Sequence, residues 1–301
     1  MENQSSKIIF YKSRSLAGRF SAAFDFIENN LKVLVKLSSF ILLPLAILVS
    51  LLFTIFGNIV LEVNQVKGIT PELVKYLILI LVISLICMVG NILFKGLLYT
   101  LVKEYPLRES IARLTFKEIK DKLIKNTKRF FIVNLVLFVF ILVYFALTGG
   151  LLTLSKWTLL FSIPFCLFLI VPFTYAQEIY LFEDIKVFAA VKKGFKLGIP
   201  NWAGTFFLLI LAGFFALIIQ GIAFTPWGVG RFVASLSFES ILDGNYSTLP
   251  GYFTILMFVL CVIAYFITYL AQLLPSLSMM FQYFSATQKE IEREEEKNQS
   301  L

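Results

Sequence analysis

Two ionisable side chains lie within stretches that are otherwise apolar, and their chemistry is that of a buried ion pair. Lys95 precedes Lys103 by eight residues, and Glu178 precedes Glu183 by five. A charge inside hydrocarbon costs about 2.5–3.5 kcal/mol, so such side chains pair or line a cavity. Both apolar stretches end on the same predicted side, which favours an ion pair between Lys95 and Glu178. The alternative is that each side chain extends independently to the headgroups. The predicted intramembrane polar cluster comprises Asn91, Lys95, Gln177, Glu178 and Gln272.

Most residue patterns that carry enzyme chemistry do not occur in this sequence. The chain has no histidine, which removes histidine-dependent catalysis and the commonest metal ligand. It has no phosphate-binding loop, no dinucleotide-binding glycine pattern and no acidic cluster within the apolar stretches. The three cysteines are scattered and fit small buried apolar residues. We therefore predict no catalytic residue, no metal, no cofactor and no enzymatic activity.

The elements that must position these residues are membrane-spanning helices. Of the 301 residues, 58% are hydrophobic and only 15% are charged, and the mean hydropathy is +0.84. Several apolar runs exceed the roughly 18 residues that are needed to cross a bilayer. The fold prediction is an all-α membrane protein with six transmembrane helices. The six predicted spans are Leu37–Leu61, Tyr76–Val102, Phe130–Leu147, Trp157–Phe182, Ala203–Phe224 and a segment from Tyr252 that bends at Pro275.

The positive charges are sorted to one side of these spans. Of the 27 lysines and arginines, 22 fall in the N-terminal segment, the second and fourth connectors and the C-terminal tail. Only four fall on the opposite side. The positive-inside rule then predicts a protein of the bacterial cytoplasmic membrane with both termini in the cytoplasm. Topology accounts for the net charge of +8, so we predict no nucleic-acid partner.

Three charged amphipathic segments precede the odd-numbered spans and are predicted to lie as elbow helices on the cytoplasmic face. They are Ser15–Lys36, the basic part of Glu104–Arg129, and Glu183–Gly198. Each has apolar residues at positions i, i+3 and i+7, starting at Phe24 or Phe116 and, in equivalent form, at Phe188. This similarity predicts a threefold repeat of elbow plus hairpin. The alternative is that any amphipathic helix shows this spacing. The basic residues predicted to contact anionic lipid are Lys117, Lys122, Lys125, Lys128, Arg129, Lys193 and Lys196.

The fourth span, the third elbow and the start of the fifth span resemble a known arrangement. Pro172, Glu178, an alanine-containing basic elbow and Trp202 follow one another, and the first span contains the sequence ILLPL. In these features the chain resembles the membrane domain of some bacterial glycerophosphodiester phosphodiesterases and allied six-span families, over the layout of Leu16–Phe284. The resemblance implies a six-helix bundle. It implies no catalytic residues, because the phosphodiesterase barrel would need about 250 further residues.

These observations predict one six-helix transmembrane domain over residues 1–288 and a loose, charged cytoplasmic tail over 289–301. The expected function is that of a non-enzymatic membrane module that binds lipids, anionic ones above all, or a cytoplasmic or membrane protein partner. The alternative is a small transporter or permease subunit with a polar path through the inner leaflet. A transporter needs polar residues that continue to the outer leaflet, and Asn58, Asn134 and Gln220 are scattered. The sequence therefore favours the first interpretation.

Overall fold

The structure is a computed structural model that describes residues 7–63, 71–242 and 251–299. Within these ranges the chain is helical and has no β-strand, which confirms the all-α prediction. The helices are α1 (Leu16–Val63), α2 (Pro71–Glu104), α3 (Phe116–Leu154), α4 (Thr158–Phe182), α5 (Val187–Gly198), α6 (Trp202–Leu242), α7 (Gly251–Ala271) and α8 (Leu273–Gln299), with a short 3₁₀ turn at Tyr105–Leu107.

Within the described ranges, six helical segments are long and apolar enough to cross a membrane, as the sequence predicted. The protein is therefore a multi-pass membrane protein. These six segments are Leu16–Thr54, Leu73–Leu107, Phe116–Thr153, Thr158–Phe182, Trp202–Ala234 and Gly251–Gln299.

Two of the three predicted elbows are not separate helices. The segment Ser15–Lys36 forms the start of α1, and the basic segment that begins at Phe116 forms the start of α3. Neither segment has a proline or glycine where the elbow should turn into the span, so the i→i−4 hydrogen bonds continue without interruption. The structure consequently does not confirm the threefold repeat of elbow plus hairpin.

The third predicted elbow is a distinct helix, α5. Extended backbone at Glu183 and Lys186 separates it from α4, and it ends just before Pro200. The face of α5 that contains Gly194 and Gly198 is buried. A Cβ atom at Gly194 would lie 2.6 Å from the carbonyl oxygen of Pro172. Glycine is therefore required where the backbones of α5 and α4 touch.

The C-terminal third departs from the sequence prediction in two places. Helix α6 continues to Leu242, through much of the predicted outer loop Thr225–Pro250. The predicted loose tail is helical as far as Gln299. The predicted interruption near Pro275 is found: α7 ends at Ala271 and α8 begins at Leu273. Because proline lacks an N–H and its ring clashes with the carbonyl four residues earlier, the break falls at that point.

The chain divides into two compact units. The first unit consists of the chain up to Val33, Lys95–Phe214 and the chain from Leu273 onward. The second consists of Leu34–Phe94 and Phe215–Gln272. Large aromatic side chains fill the interior of the first unit: Tyr99, Tyr175, Tyr283, Phe26, Phe281 and Phe284 are all buried. The interior of the second unit is apolar and includes Val49, Leu79 and Ile83.

Candidate functional site

The centre of the first unit is the C-terminal half of α4. From Val171 to Leu181 most side chains of this helix are buried, whereas many of those nearer its N-terminus are exposed. The close approach of α5 at Gly194 covers one side of it, and α3 and α8 also pack against it. Polar groups in this half of α4 therefore need partners inside the protein.

Glu178 is the most deeply buried acidic side chain in this region, with a relative exposure of 2%. The hydroxyl of Tyr99 donates a hydrogen bond of 2.7 Å to its Oε1 atom. Its Oε2 atom is buried and has no hydrogen-bond partner among the described residues. A carboxylate normally accepts several hydrogen bonds, so this one has unused capacity for a proton or a polar ligand.

Lys95, the predicted partner of Glu178, lies close enough to interact with it electrostatically. Its ammonium group donates a hydrogen bond to the hydroxyl of Ser276. Among the described residues, no direct ion pair joins Lys95 to Glu178. The structure thus brings the two charges into one region, with Tyr99 as the direct partner of the carboxylate and Ser276 as the direct partner of the ammonium.

The remaining members of the predicted polar cluster are Gln177, Asn91 and Gln272. Gln177 donates a hydrogen bond of 2.9 Å to the side-chain oxygen of Asn134. Asn91 is exposed on α2. Asn91 and Gln272 both belong to the second unit, whereas Lys95, Gln177 and Glu178 belong to the first.

A second polar network occupies the interior of the first unit and was not predicted. Arg19, only 8% exposed, donates hydrogen bonds to the backbone oxygen of Arg14 and to the side-chain oxygen of Gln282. The amide nitrogen of Gln282 donates to the Tyr175 hydroxyl at 2.8 Å and to the Thr205 hydroxyl at 2.6 Å. This network joins α1, α4, α6 and α8. The sequence offers one indication of this network, which is the position of Gln282 among apolar residues.

The connection between α4 and α5 is fixed by charged side chains. Arg129 donates a hydrogen bond of 2.6 Å to Asp184 and also contacts the backbone oxygens of Tyr180 and Glu183. The hydrogen bond from Arg129 lowers the pKa of Asp184, and the positive charge of Arg129 adds to the effect. Lys193 contacts both carboxylate oxygens of Glu183 at 2.8 Å, and the Tyr283 hydroxyl donates to the same carboxylate at 2.9 Å.

The seven basic residues predicted to contact lipid fall into two groups. Four of them form ion pairs within the protein: Lys122 with Glu104, Arg129 with Asp184, Lys193 with Glu183, and Lys196 with Glu290. The other three, Lys117, Lys125 and Lys128, are exposed on α3 and form no ion pair with the described residues. Lys192, which was not among the seven, is likewise exposed and without an ion pair to the described residues.

The exposed side chains of α3 divide that helix into two parts. Most of the exposed large apolar side chains of α3 lie between Phe131 and Leu151, interrupted by buried residues such as Val133 and Leu137. This stretch has a rise of about 30 Å, which equals the thickness of the hydrocarbon core. Lys128 lies one turn before this stretch and Lys125 about two turns before it. Lys117 lies 14 residues before Phe131, or about 21 Å along the helix axis.

The described residues of the first unit provide polar contacts between its helices. No group of three or more metal-ligating side chains occurs in the part of the chain that the structure describes. Comparison with family models, with curated proteins and with solved structures yields no match. The resemblance to the phosphodiesterase membrane domain accordingly stays an expectation from sequence. What the arrangement offers chemically is exposed positive charge beside an apolar band and a buried carboxylate with one unpartnered oxygen.

Proposed function

We propose that this multi-pass membrane protein is a non-enzymatic module that binds anionic lipid headgroups at its basic end. The basic end consists of the lysine-rich start of α3 and the exposed face of α5. The observation that carries the proposal is the position of Lys125 and Lys128, which are exposed and lie within two turns of the apolar band that starts at Phe131. Neither forms an ion pair with the described residues. Lysine side chains at this level can extend into the headgroup layer while their stems contact hydrocarbon.

Helix α5 supports the same proposal. Its exposed face combines Phe188, which is 67% exposed, and Ile199 with the positive charge of Lys192. Exposed aromatic and aliphatic side chains beside lysine are typical of a helix that lies in the membrane interface. The face of α5 that would meet lipid therefore carries both an apolar and an electrostatic means of attachment.

The proposal narrows the predicted set of lipid-contacting residues. Lys117 lies about 21 Å from the start of the apolar band, whereas the headgroup layer extends about 5–8 Å beyond the hydrocarbon. Even if α3 were tilted by about 40°, the upper end of the usual range for membrane helices, Lys117 would project beyond the headgroup layer. We assign lipid binding to Lys125, Lys128 and Lys192, and we exclude Lys117 from the lipid-binding set.

The experiment is native mass spectrometry of the protein released from nanodiscs of phosphatidylglycerol and phosphatidylcholine. The test variant is Lys125→Gln/Lys128→Gln/Lys192→Gln. The matched control, Lys289→Gln/Arg293→Gln/Lys297→Gln, removes the same charge from the acidic end of α8. We expect the test variant to retain several-fold less phosphatidylglycerol than the wild type and the control to match the wild type. Equal retention by all three proteins would overturn the proposal.

A second candidate function, that of a small transporter, is favoured by one observation. The Oε2 atom of Glu178 is buried without a hydrogen-bond partner among the described residues, and buried carboxylates in membrane helices often carry protons or bind substrates. A transporter of this kind would lose proton-coupled uptake in proteoliposomes when Glu178 is replaced by Gln. A wild-type protein that supports no ion or proton flux would remove this candidate.

The proposed location is the bacterial cytoplasmic membrane, with the basic end in the cytoplasm. It is supported by the excess of lysine and arginine at that end and by the even number of spans, which leaves both termini on one side. Cysteines introduced at exposed Lys117 and Lys192 should react with a membrane-impermeant maleimide only after the cells are opened. Labelling of either position in intact cells would reverse the assignment.

A further inference from the structure

The second unit contains a cavity that the proposed lipid binding at the basic end does not use. Its volume is about 230 Å³. Most of its lining is aromatic or aliphatic, and it carries one positive charge. The lining residues that matter here are Phe53, Tyr76, Ile80, Ser84, Trp227 and Arg231.

The cavity is elongated along α2. Tyr76, Ile80 and Ser84 are spaced four residues apart, so they line it over two successive helical turns, or about 12 Å. Neighbouring residues of α2 such as Leu77 and Leu81 are exposed and apolar, which is what a surface against lipid hydrocarbon requires. A hydrocarbon chain can therefore enter the cavity directly from the bilayer.

Arg231 supplies charge at the α6 wall of the cavity. It lies one turn after Trp227, so the two side chains share a face of α6. Charged side chains within a spanning segment line cavities or pair with an opposite charge. Arg231 also interacts elsewhere within the protein, but a guanidinium has five N–H donors in a planar fork and can hold a carboxylate or phosphate in addition.

We propose that this cavity binds one hydrocarbon chain of an anionic amphiphile, with the anionic group at Arg231. The volume suits a chain segment better than a drug-sized ligand, because pockets for the latter usually span about 300–1,000 Å³. The aromatic rings of Trp227 and Phe53, whose centroids are 5.9 Å apart, form the wall against which the chain packs. A free fatty acid and an anionic phospholipid share the required chemistry.

Trp227 allows the site to be tested by fluorescence quenching. The purified full chain is titrated with three brominated probes, namely dibrominated stearate, its methyl ester and dibrominated phosphatidylglycerol. Bromine quenches tryptophan only at short range, so a chain in the cavity quenches Trp227 saturably. The Trp227→Phe variant measures the quenching of Trp157 and Trp202, the other two tryptophans. The difference between the two titrations reports the cavity.

We expect a saturable component with stearate or with phosphatidylglycerol that is absent from Trp227→Phe. The probe that binds more tightly shows whether the chain belongs to a free fatty acid or to a phospholipid. The methyl ester and the Arg231→Gln variant should each weaken binding by about tenfold, because each removes a charge-assisted hydrogen bond. Ser84→Phe, which fills the cavity from α2 and keeps Arg231, should remove the saturable component. A wild-type difference that never saturates, or equal affinity for stearate and its ester, would overturn the proposal.

Discussion

Tyr99 is the only described residue that donates a hydrogen bond to the buried carboxylate of Glu178, at 2.7 Å from Oε1. The two residues belong to α2 and α4, and both are almost completely buried. A buried charge that depends on one donor is sensitive to the loss of that donor, because no water replaces it. The stability of the contact between α2 and α4 therefore depends on the single hydroxyl group of Tyr99.

The first prediction is that Tyr99→Phe destabilises the protein only when Glu178 is present. The substitution keeps the aromatic ring and removes the hydroxyl, which should cost about 1–3 kcal/mol. In a Glu178→Leu background the same substitution should have a much smaller effect, because no carboxylate is left without a donor. Thermal unfolding of the four proteins of this double-mutant cycle in detergent measures the coupling. Equal shifts in both backgrounds would show that the hydrogen bond does not stabilise the protein.

The second prediction concerns the contact between α5 and α4. Gly194→Ala should lower the unfolding temperature, since the added Cβ would lie 2.6 Å from the Pro172 carbonyl oxygen and 2.9 Å from the Ala176 nitrogen. Both atoms belong to the backbone, so relief requires the two helices to separate. The matched control is Gly213→Ala in α6, where a Cβ meets nothing within 4 Å. The control should be neutral or stabilising by about 0.5–1 kcal/mol, as helix propensity dictates.

The third prediction is a pH dependence that comes from Asp184. Arg129 lowers the pKa of this carboxyl below its usual value of 3.8 in the folded state, so the unfolded state binds more protons. The contribution to stability is therefore present above the usual aspartate pKa and is lost as the pH falls through the lowered value. Wild type should unfold at a higher temperature than Asp184→Asn at neutral pH, and the difference should vanish in acid.

A control for the Asp184 experiment is Asp121→Asn, which removes an exposed carboxylate of α3 that has no ion-pair partner among the described residues. The difference between wild type and this variant should be small at every pH. If it follows pH as closely as that of Asp184→Asn, the effect reflects net charge and not the contact with Arg129.

The sequence predicted the elements of the fold better than their boundaries. Hydrophobic run length identifies spans reliably because crossing a bilayer sets a minimum length. It does not show where a helix ends once the chain leaves the hydrocarbon. The basic start of α3 follows from charge and periodicity, but its continuity with the span depends on the absence of a helix breaker after Phe116. The extension of α6 past Pro226 could not be predicted from the sequence either, because it depends on tertiary contacts.

The direct contacts of the predicted site residues could not be read from the sequence. Intramembrane charge pointed to Lys95 and Glu178, since such residues are rare in spans. The direct partners, Ser276 and Tyr99, are a serine and a tyrosine in apolar runs, and neither differs from ordinary core residues in a single sequence. The prediction that all seven basic residues meet lipid overlooked acids that are distant in sequence, such as Glu290, the partner of Lys196.

The final prediction compares Lys193 and Lys196, which lie three residues apart on α5 and differ in how each lysine contacts its carboxylate. Lys193 contacts both carboxylate oxygens of Glu183, so Lys193→Gln leaves the Tyr283 hydroxyl as the one donor to that carboxylate among the described residues. Lys196→Gln breaks a single contact to Glu290, in which the lysine side chain is 68% exposed although Glu290 is only 26% exposed. Because solvent screens an exposed ammonium group, the single contact of Lys196 should contribute less than the two contacts of the less exposed Lys193.

Thermal unfolding should therefore show a larger decrease for Lys193→Gln than for Lys196→Gln, although the two substitutions remove the same charge from the same helix. High salt should reduce the small effect at Lys196 further and leave most of the effect at Lys193, since screening acts mainly on exposed charges. The ranking would be refuted by equal decreases, because the loss would then follow net charge. In that case Glu183 would be stabilised by solvent and not by its contacts with Lys193 and Tyr283.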